Sequence, residues 1–203
     1  MANGIACQQL SLLVGVLLLG RLAGRYGQTL SNRRDALHSF PSATDLSGAR
    51  SSSLKELGFS GRKAEFLLTL ARNERCGQLK LEMLEHCNNQ AALEFLQTLP
   101  GIGRWTAEYI LLRGLGRLDV FPGDDVGARN NLAHFLGRPG PLDYEAVRRA
   151  VAKWQPFAGL VYFHLLLDRI RDAGWMNTRE GRERRPRTQG GMKVTVSNSQ
   201  SGE

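Results

Sequence analysis

Cysteine is scarce in this 203-residue chain, lysine is far outnumbered by arginine, and strand-like alternation is almost missing. The three cysteines, Cys7, Cys76 and Cys87, are an odd and scattered set. They make no CxxC pair and no cluster with histidine, which argues against a disulfide scaffold, a structural zinc and an iron–sulfur cluster. Long hydrophobic runs are lacking as well. The apolar run Leu10–Leu19 falls short of the roughly 20 residues that a membrane span needs. No Lys or Arg precedes that run, so it does not read as a signal peptide. Outside the C-terminal tail, apolar and polar residues nowhere alternate cleanly over about five residues, as a half-buried strand would require.

What is present is an apolar fraction of 42%, enough for a buried interior, and a charge excess of +8 from 27 Lys+Arg against 19 Asp+Glu. A basic balance suggests an anionic partner, most often nucleic acid. Residues 177–203 are rich in Arg, Gly, Ser and Gln and carry six basic and three acidic side chains. They bury too little apolar surface to offset their ordering entropy, and a disordered basic tail is expected there.

Helix signals recur along the rest. Gln8–Tyr26 reads as one helix buried on most sides, ended by Gly27. Ser31–Ser53 is polar and reads as loops around short helices. Ser60 can cap a helix over Arg62–Arg75 that places Ala64, Leu67, Leu68 and Ala71 on one face. Short helices follow over Leu79–His86 and Gln90–Thr98. Further helices are expected over Arg104–Leu115, Asp125–Phe135 and Tyr144–Trp154, the last capped by Asp143, and from Pro156 to Ala173.

Between two of these helices the chain runs Leu96-Gln-Thr-Leu-Pro-Gly-Ile-Gly-Arg-Trp-Thr-Ala107. Glycines at positions 101 and 103 permit positive φ and close approach of another backbone. Ile102 between them can plug the two helices together. The turn aims the free amides at the start of the next helix outward, where an anion such as a DNA phosphate is favoured. Such a grip holds DNA without reading its sequence.

That string resembles the hairpin of the helix-hairpin-helix (HhH-GPD) DNA glycosylases, in the DNA-3-methyladenine glycosylase II, alkylation-repair branch. Three other stretches carry the same resemblance: Gln8-Gln-Leu-Ser11, Leu54-Lys-Glu-Leu-Gly-Phe-Ser-Gly-Arg-Lys-Ala-Glu65, and Asp119-Val-Phe-Pro-Gly-Asp-Asp125. Together they cover about residues 5–176, in order. The resemblance implies an all-α fold of two helical subdomains with a cleft between them. A helical barrel over residues 28–118 would carry the hairpin. The N-terminal helix (1–27) and a second subdomain (119–176) would frame the opposite wall.

Asp124 and Asp125 start a helix, where an Asp is favoured as a cap. Beside a hairpin that holds DNA, a carboxylate has a second use. Cleavage of an N-glycosidic bond leaves positive charge on the sugar, which a fixed carboxylate stabilises while orienting water. The resemblance assigns the catalytic role to Asp125 and leaves Asp124 to cap the helix. In bifunctional relatives a lysine nucleophile stands between the positions of Arg104 and Thr106; here the residue is Trp105. The implied reaction is therefore hydrolysis alone, leaving an abasic site. Trp105 and Tyr109, four residues apart on one helix face, either pack the core or match the family's base pocket. In the second role they would attract cationic 3-methyladenine or 7-methylguanine.

The target base must leave the stack, and by resemblance Gln9 falls where a wedge residue fills the gap. Gln8 and Gln9 can equally cap or bridge helices. Gly101, Gly103, Arg104 and Thr106 are the expected contacts to the DNA backbone. The carbonyls of Gln97, Leu99 and Ile102 match a monovalent cation site of the family; no other cofactor is implied. Three features depart from the pattern. Only seven residues precede Gln8, so either the first helix is shortened or the natural start lies further upstream. Ala158 replaces an Arg, with loss of a phosphate or helix-end contact, and Val126 replaces an aromatic residue of some relatives. The expected partner is duplex DNA with alkylated bases, bound by a monomer in bacterial cytoplasm or a eukaryotic nucleus, neither secreted nor membrane-bound. Two rivals remain: a non-catalytic DNA-binding module, and a glycosylase for mismatched or deaminated bases.

Overall fold

A computed structural model describes residues 1–30, 37–172 and 174. The fold is all-α. Its helices are α1 (Ala2–Cys7), α2 (Leu12–Tyr26), α3 (Ala43–Ser47), α4 (Ser51–Glu56), α5 (Gly61–Arg75), α6 (Met83–His86), α7 (Asn89–Gln97), α8 (Arg104–Gly114), α9 (Val126–Phe135), α10 (Tyr144–Val151) and α11 (Ala158–Asp172). A 3-10 turn over Ala152–Trp154 extends α10. Among the described residues, extended pairing is limited to one antiparallel bridge between Thr29 and His38. No helix among them is long and apolar enough to cross a membrane.

Residues Met1–Leu166 form one compact unit. Beyond it, the last turns of α11 and Gly174 are described. The basic tail at 177–203 lies outside the described residues, as do residues 31–36 of the polar loop.

Caps explain where most helices start. Ser60 accepts from the Lys63 amide, Asn88 from Ala91 and Asp143 from Ala146. Each side-chain oxygen satisfies an amide that has no partner within its own helix. The Asp143 bond is short, at 2.6 Å. Asp143→Ala is expected to cost about 1 kcal/mol, read as a lower midpoint in urea unfolding.

The core of the compact unit falls into two clusters. One gathers Ile5, Leu22, Leu54, Leu68, Leu96, Ile102 and Leu111; the other gathers Leu112, Phe121, Leu132, Val147, Val151 and Tyr162. Ala158 is fully buried in the second cluster, so the residue in place of the expected Arg packs the interior.

The N-terminal segment differs from expectation in three ways. The helix expected over Gln8–Tyr26 begins only at Leu12, and a separate helix, α1, precedes it across a break at Gln8–Ser11. Gln9 takes φ +54°, and Ser11 caps α2 by accepting from the Val14 amide. A polar Ser with a free oxygen favours a helix start over a helix interior. Next, α2 is not buried on most sides: Leu18 and Leu22 face the core, while Leu13, Val14, Val16 and Leu17 are exposed. Finally, Ile5, Ala6, Leu18 and Leu22 belong to the same cluster as α5, α7 and α8. The N-terminal helices therefore join the core of the hairpin subdomain instead of the wall after Asp119.

Candidate active site

The hairpin joins α7 to α8 through Thr98–Gly103. Ile102 is buried in the first core, where it closes the two helices on each other. Gly101 has φ +77°, and a Cβ there would lie 2.1 Å from the Phe66 ring of α5. Only glycine fits that backbone at that distance.

Gln8 ties the N-terminal break to the hairpin, and Lys63 ties the same break to α5. The Gln8 side-chain amide donates to the Gly101 carbonyl at 2.7 Å and to the Thr106 hydroxyl at 2.9 Å. Lys63 donates from Nζ to the carbonyls of Ala6 and Gln8, at 3.0 and 2.6 Å. Burial holds the Lys63 ammonium below its ordinary pKa. A cation at the C-terminal end of α1 also suits the helix dipole. The Gln-Gln-Leu-Ser, Arg-Lys-Ala and hairpin motifs thus meet through hydrogen bonds.

A groove of about 890 Å³ opens beside them, lined among others by Gln8, Gln9, Lys63, Gly101, Gly103 and Trp105, together with Asp124, Asp125 and Val126. Gln9 is exposed at its rim. Gly103 and Arg104 are exposed at the start of α8, while Thr106 is 2% exposed with its hydroxyl taken by Gln8. The main-chain amide of Thr106, in the first turn of α8, is the group it can offer to a backbone phosphate.

Asp125, not Asp124, caps α9. Its Oδ1 accepts from the Ala128 amide at 2.8 Å. Its Oδ2 accepts from the Trp105 indole and the Tyr162 hydroxyl, both at 3.0 Å. The capping role expected of Asp124 falls to Asp125 because Asp124 sits inside a turn that the Asp125 amide closes on the Pro122 carbonyl at 3.1 Å. Asp124 instead faces Arg104 at 3.9 Å, a half-exposed pair of small energetic weight. Burial, with the Asp125 charge beside it, holds the Tyr162 hydroxyl well above the ordinary phenol range, so it stays a donor. Trp105 and Tyr109 stack with ring centroids 5.2 Å apart. Trp105 lines the groove; Tyr109 is buried behind it, with its hydroxyl bonded to Arg113 and Asn3. The structure therefore brings Asp125, Trp105, Gln9, Gly101 and Gly103 to one groove and leaves Tyr109 and Thr106 as supports.

Roles for Lys63 and Tyr162 were not assigned from sequence, whereas bridging was one of the two readings open for Gln8, and its side chain takes it. Lys63 sits inside a motif that resembles the family, which was the available signal. Tyr162 stands 37 positions from its carboxylate and has no local signature.

Among the described residues, no group of three or more His, Cys, Asp or Glu is placed to hold a metal. At the hairpin, the Leu99 carbonyl accepts the Ile102 amide at 3.1 Å. Those of Gln97 and Ile102 accept no main-chain amide from outside a helix among the described residues. An all-oxygen carbonyl set of this kind fits a hard cation.

A family model described as HhH-GPD superfamily base excision DNA repair protein matches residues 3–156. The chain belongs to this superfamily. Among superfamily relatives, DNA-3-methyladenine glycosylase 2 of Escherichia coli is 32% identical over 163 residues, which is 80% of this chain and 54% of the relative. The 3-methyladenine DNA glycosylase structure from Archaeoglobus fulgidus superposes with a TM-score of 0.73 at 32% identity, covering 83% of this chain and 57% of the other. The Schizosaccharomyces pombe 3-methyladenine DNA glycosylase Mag1, in complex with abasic DNA, gives 0.69 at 27% identity over 81% and 76%. The chain thus spans about half the length of the E. coli relative.

Proposed function

We propose that this superfamily member is a monofunctional DNA glycosylase that releases alkylated purines, 3-methyladenine and 7-methylguanine, from duplex DNA. The observation that carries the reading is Asp125: a carboxylate fixed through both oxygens in the lining of a groove that the hairpin also lines. Amides at the start of α8, with Gly101, Gly103 and Arg104, would hold a phosphate and present the flipped nucleotide to the groove. Gln9 at the rim would fill the vacated stack. As the bond from C1′ to the purine nitrogen breaks, its electron pair leaves with the cationic base and neutralises it. The sugar becomes an oxocarbenium-like cation, which Asp125 stabilises. Water then bonds to C1′ and loses its proton to Asp125 or solvent. An already cationic leaving group needs little general-acid help, and Trp105 offers it an electron-rich face.

Hydrolysis without strand cleavage rests on two residues. Trp105 offers no amine, and the amine of Lys63 is engaged by two carbonyls. A monovalent cation held by the carbonyls of Gln97, Leu99 and Ile102 would add positive charge beside the bound phosphate. The protein would act as a monomer wherever chromosomal DNA lies, in bacterial cytoplasm or a eukaryotic nucleus.

Incubation with methylated duplex DNA, followed by mass spectrometry of released bases, tests the reading. Expected products are 3-methyladenine and 7-methylguanine, with strands intact until alkali is added. Release of uracil, thymine or hypoxanthine alone would replace the substrate. Release of nothing, with salt-dependent binding retained, would make the chain a DNA-binding module.

A further inference from the structure

Beyond Asp125, the interior between the hairpin and the Asp-bearing turn holds a second carboxylate that the chemistry above does not use. Glu108 lies on α8, three residues after Trp105, and is 3% exposed. Its Oε2 accepts from the Gly123 amide at 3.0 Å, and its Oε1 accepts from the Tyr144 hydroxyl at 2.7 Å. An ionisable group is buried this deeply only when its hydrogen bonds are made. The partners matter here. Gly123 is two residues before Asp125, and Tyr144 opens α10.

Helix α8 therefore grips the turn before α9 at two points with opposite polarity. The Trp105 indole donates to the Asp125 carboxylate, and the Glu108 carboxylate accepts from the Gly123 amide. The turn has no slack on its outer side. A Cβ on Gly123 would lie 2.8 Å from two atoms of the Tyr144 ring, so ring and backbone are in direct contact. The Arg104 guanidinium sits 4.6 Å over that same ring and 3.9 Å from Asp124.

We propose that Glu108 is a positioning residue, a buried latch that fixes the Gly123–Asp125 turn against the second hairpin helix. It would thereby set the distance between the carboxylate and the nucleotide gripped by the hairpin. The inference rests on the glycosylase reading for its activity arm only. Its geometric content, that Glu108 holds the Gly123 amide, stands apart from that reading.

Charged and titratable groups facing Glu108 are Arg104 of α8, Asp124 of the turn and Tyr144 of α10. Burial outweighs the two hydrogen bonds and pushes the Glu108 carboxyl up to about 7. Folding then favours the protonated form. This group's contribution to stability is greatest below the ordinary pKa of 4.5 and is lost as pH rises towards about 7. Glutamine preserves the latch without ionising. Its amide oxygen accepts from Gly123, and its NH2 donates to a Tyr144 hydroxyl turned to accept.

The test compares full-length wild type, Glu108→Gln and Glu108→Ala. Hydrogen exchange of a peptide spanning 120–126 reads the latch directly. Single-turnover base release and binding to abasic duplex read its consequence. Glu108→Ala is expected to speed exchange at Gly123 and lower single-turnover release on the order of tenfold, with duplex affinity unchanged. Glu108→Gln should restore both. It should also remove a pH dependence of up to about tenfold per pH unit in the unfolding constant between the ordinary Glu range and neutrality. Wild-type exchange and release in Glu108→Ala overturn the proposal, as does Glu108→Gln being as impaired as Ala. If Glu108→Ala does not fold, Tyr144→Phe carries the test. Faster exchange and severalfold lower release support the latch, and wild-type values for both overturn it. A wild-type protein that releases no base defeats the glycosylase reading, while the exchange comparison still decides the latch.

Discussion

Asp125→Asn is expected to lower base release by at least about 10²–10³-fold while duplex binding stays within about twofold. The charge is what changes. In the proposed reaction the sugar cation formed as the purine departs would be stabilised by a full negative charge, where a neutral amide supplies only a dipole. Binding should survive because the groups expected to grip DNA, the α8 amides with Gly101, Gly103 and Arg104, lie on a different element. Folding should largely survive too. Asn caps helices about as well as Asp, so its oxygen can keep the Ala128 amide. The opposite end is less comfortable. The Asn NH2 group would face the Trp105 indole N–H and the Tyr162 hydroxyl, which now meet Oδ2. Tyr162 can turn to accept, but an indole cannot, so one donor loses its partner at a cost of about 1–2 kcal/mol. Base release under single turnover and Kd for an abasic duplex check the prediction. Release at more than a tenth of the wild-type rate would remove Asp125 from the chemistry.

How much of this was legible in the sequence follows the range of the interactions. Caps act over three residues, so Ser60 and Asp143 mark their helices, and α5 and α10 begin where those residues place them. The 3.6-residue period puts Ala64, Leu67, Leu68 and Ala71 of α5 in the core, as expected. The break at Gln8–Ser11 was not legible, because what holds it is remote: Lys63 binds the carbonyls of Ala6 and Gln8 from 57 and 55 positions away. Apolar content predicts burial for α2 without saying which neighbours exist to cover it. The neighbouring aspartates posed a different problem. Either can cap a helix, and local preference does not separate them. The structure gives one side chain both duties, with Oδ1 of Asp125 on the helix and Oδ2 on Trp105 and Tyr162. Family resemblance singles out Asp125 as the candidate, and only the fold shows what orients it.

Gly101→Ala and Gly103→Ala should separate two reasons for glycine in the same hairpin. Gly101 has φ +77°, and its added Cβ would sit 2.1–2.5 Å from three atoms of the Phe66 ring. Those atoms form the body of the ring, which itself packs on the first core, so the ring cannot swing away cheaply. The hairpin cannot retreat either without stretching the 2.7 Å bond from Gln8 to the Gly101 carbonyl. Strain of about 1 kcal/mol for the left-handed backbone adds to about 1–3 kcal/mol of overpacking. A total of roughly 2–4 kcal/mol lowers Tm on the order of 5–15 °C for a chain of this size. Gly103 is the opposite case. Its φ is −88°, and a Cβ there meets nothing within 4 Å. Gly103→Ala should therefore leave Tm within about 2 °C, since the change fits inside the usual ±0.5 kcal/mol of a surface substitution. What it adds is a methyl group on the exposed approach to the α8 amides, where a phosphate would sit. Duplex affinity at fixed salt should fall several-fold, with stability untouched. A Gly103→Ala protein that binds duplex as tightly as wild type would move the DNA backbone off this turn, and a Gly101→Ala protein with unchanged Tm would mean that Phe66 yields.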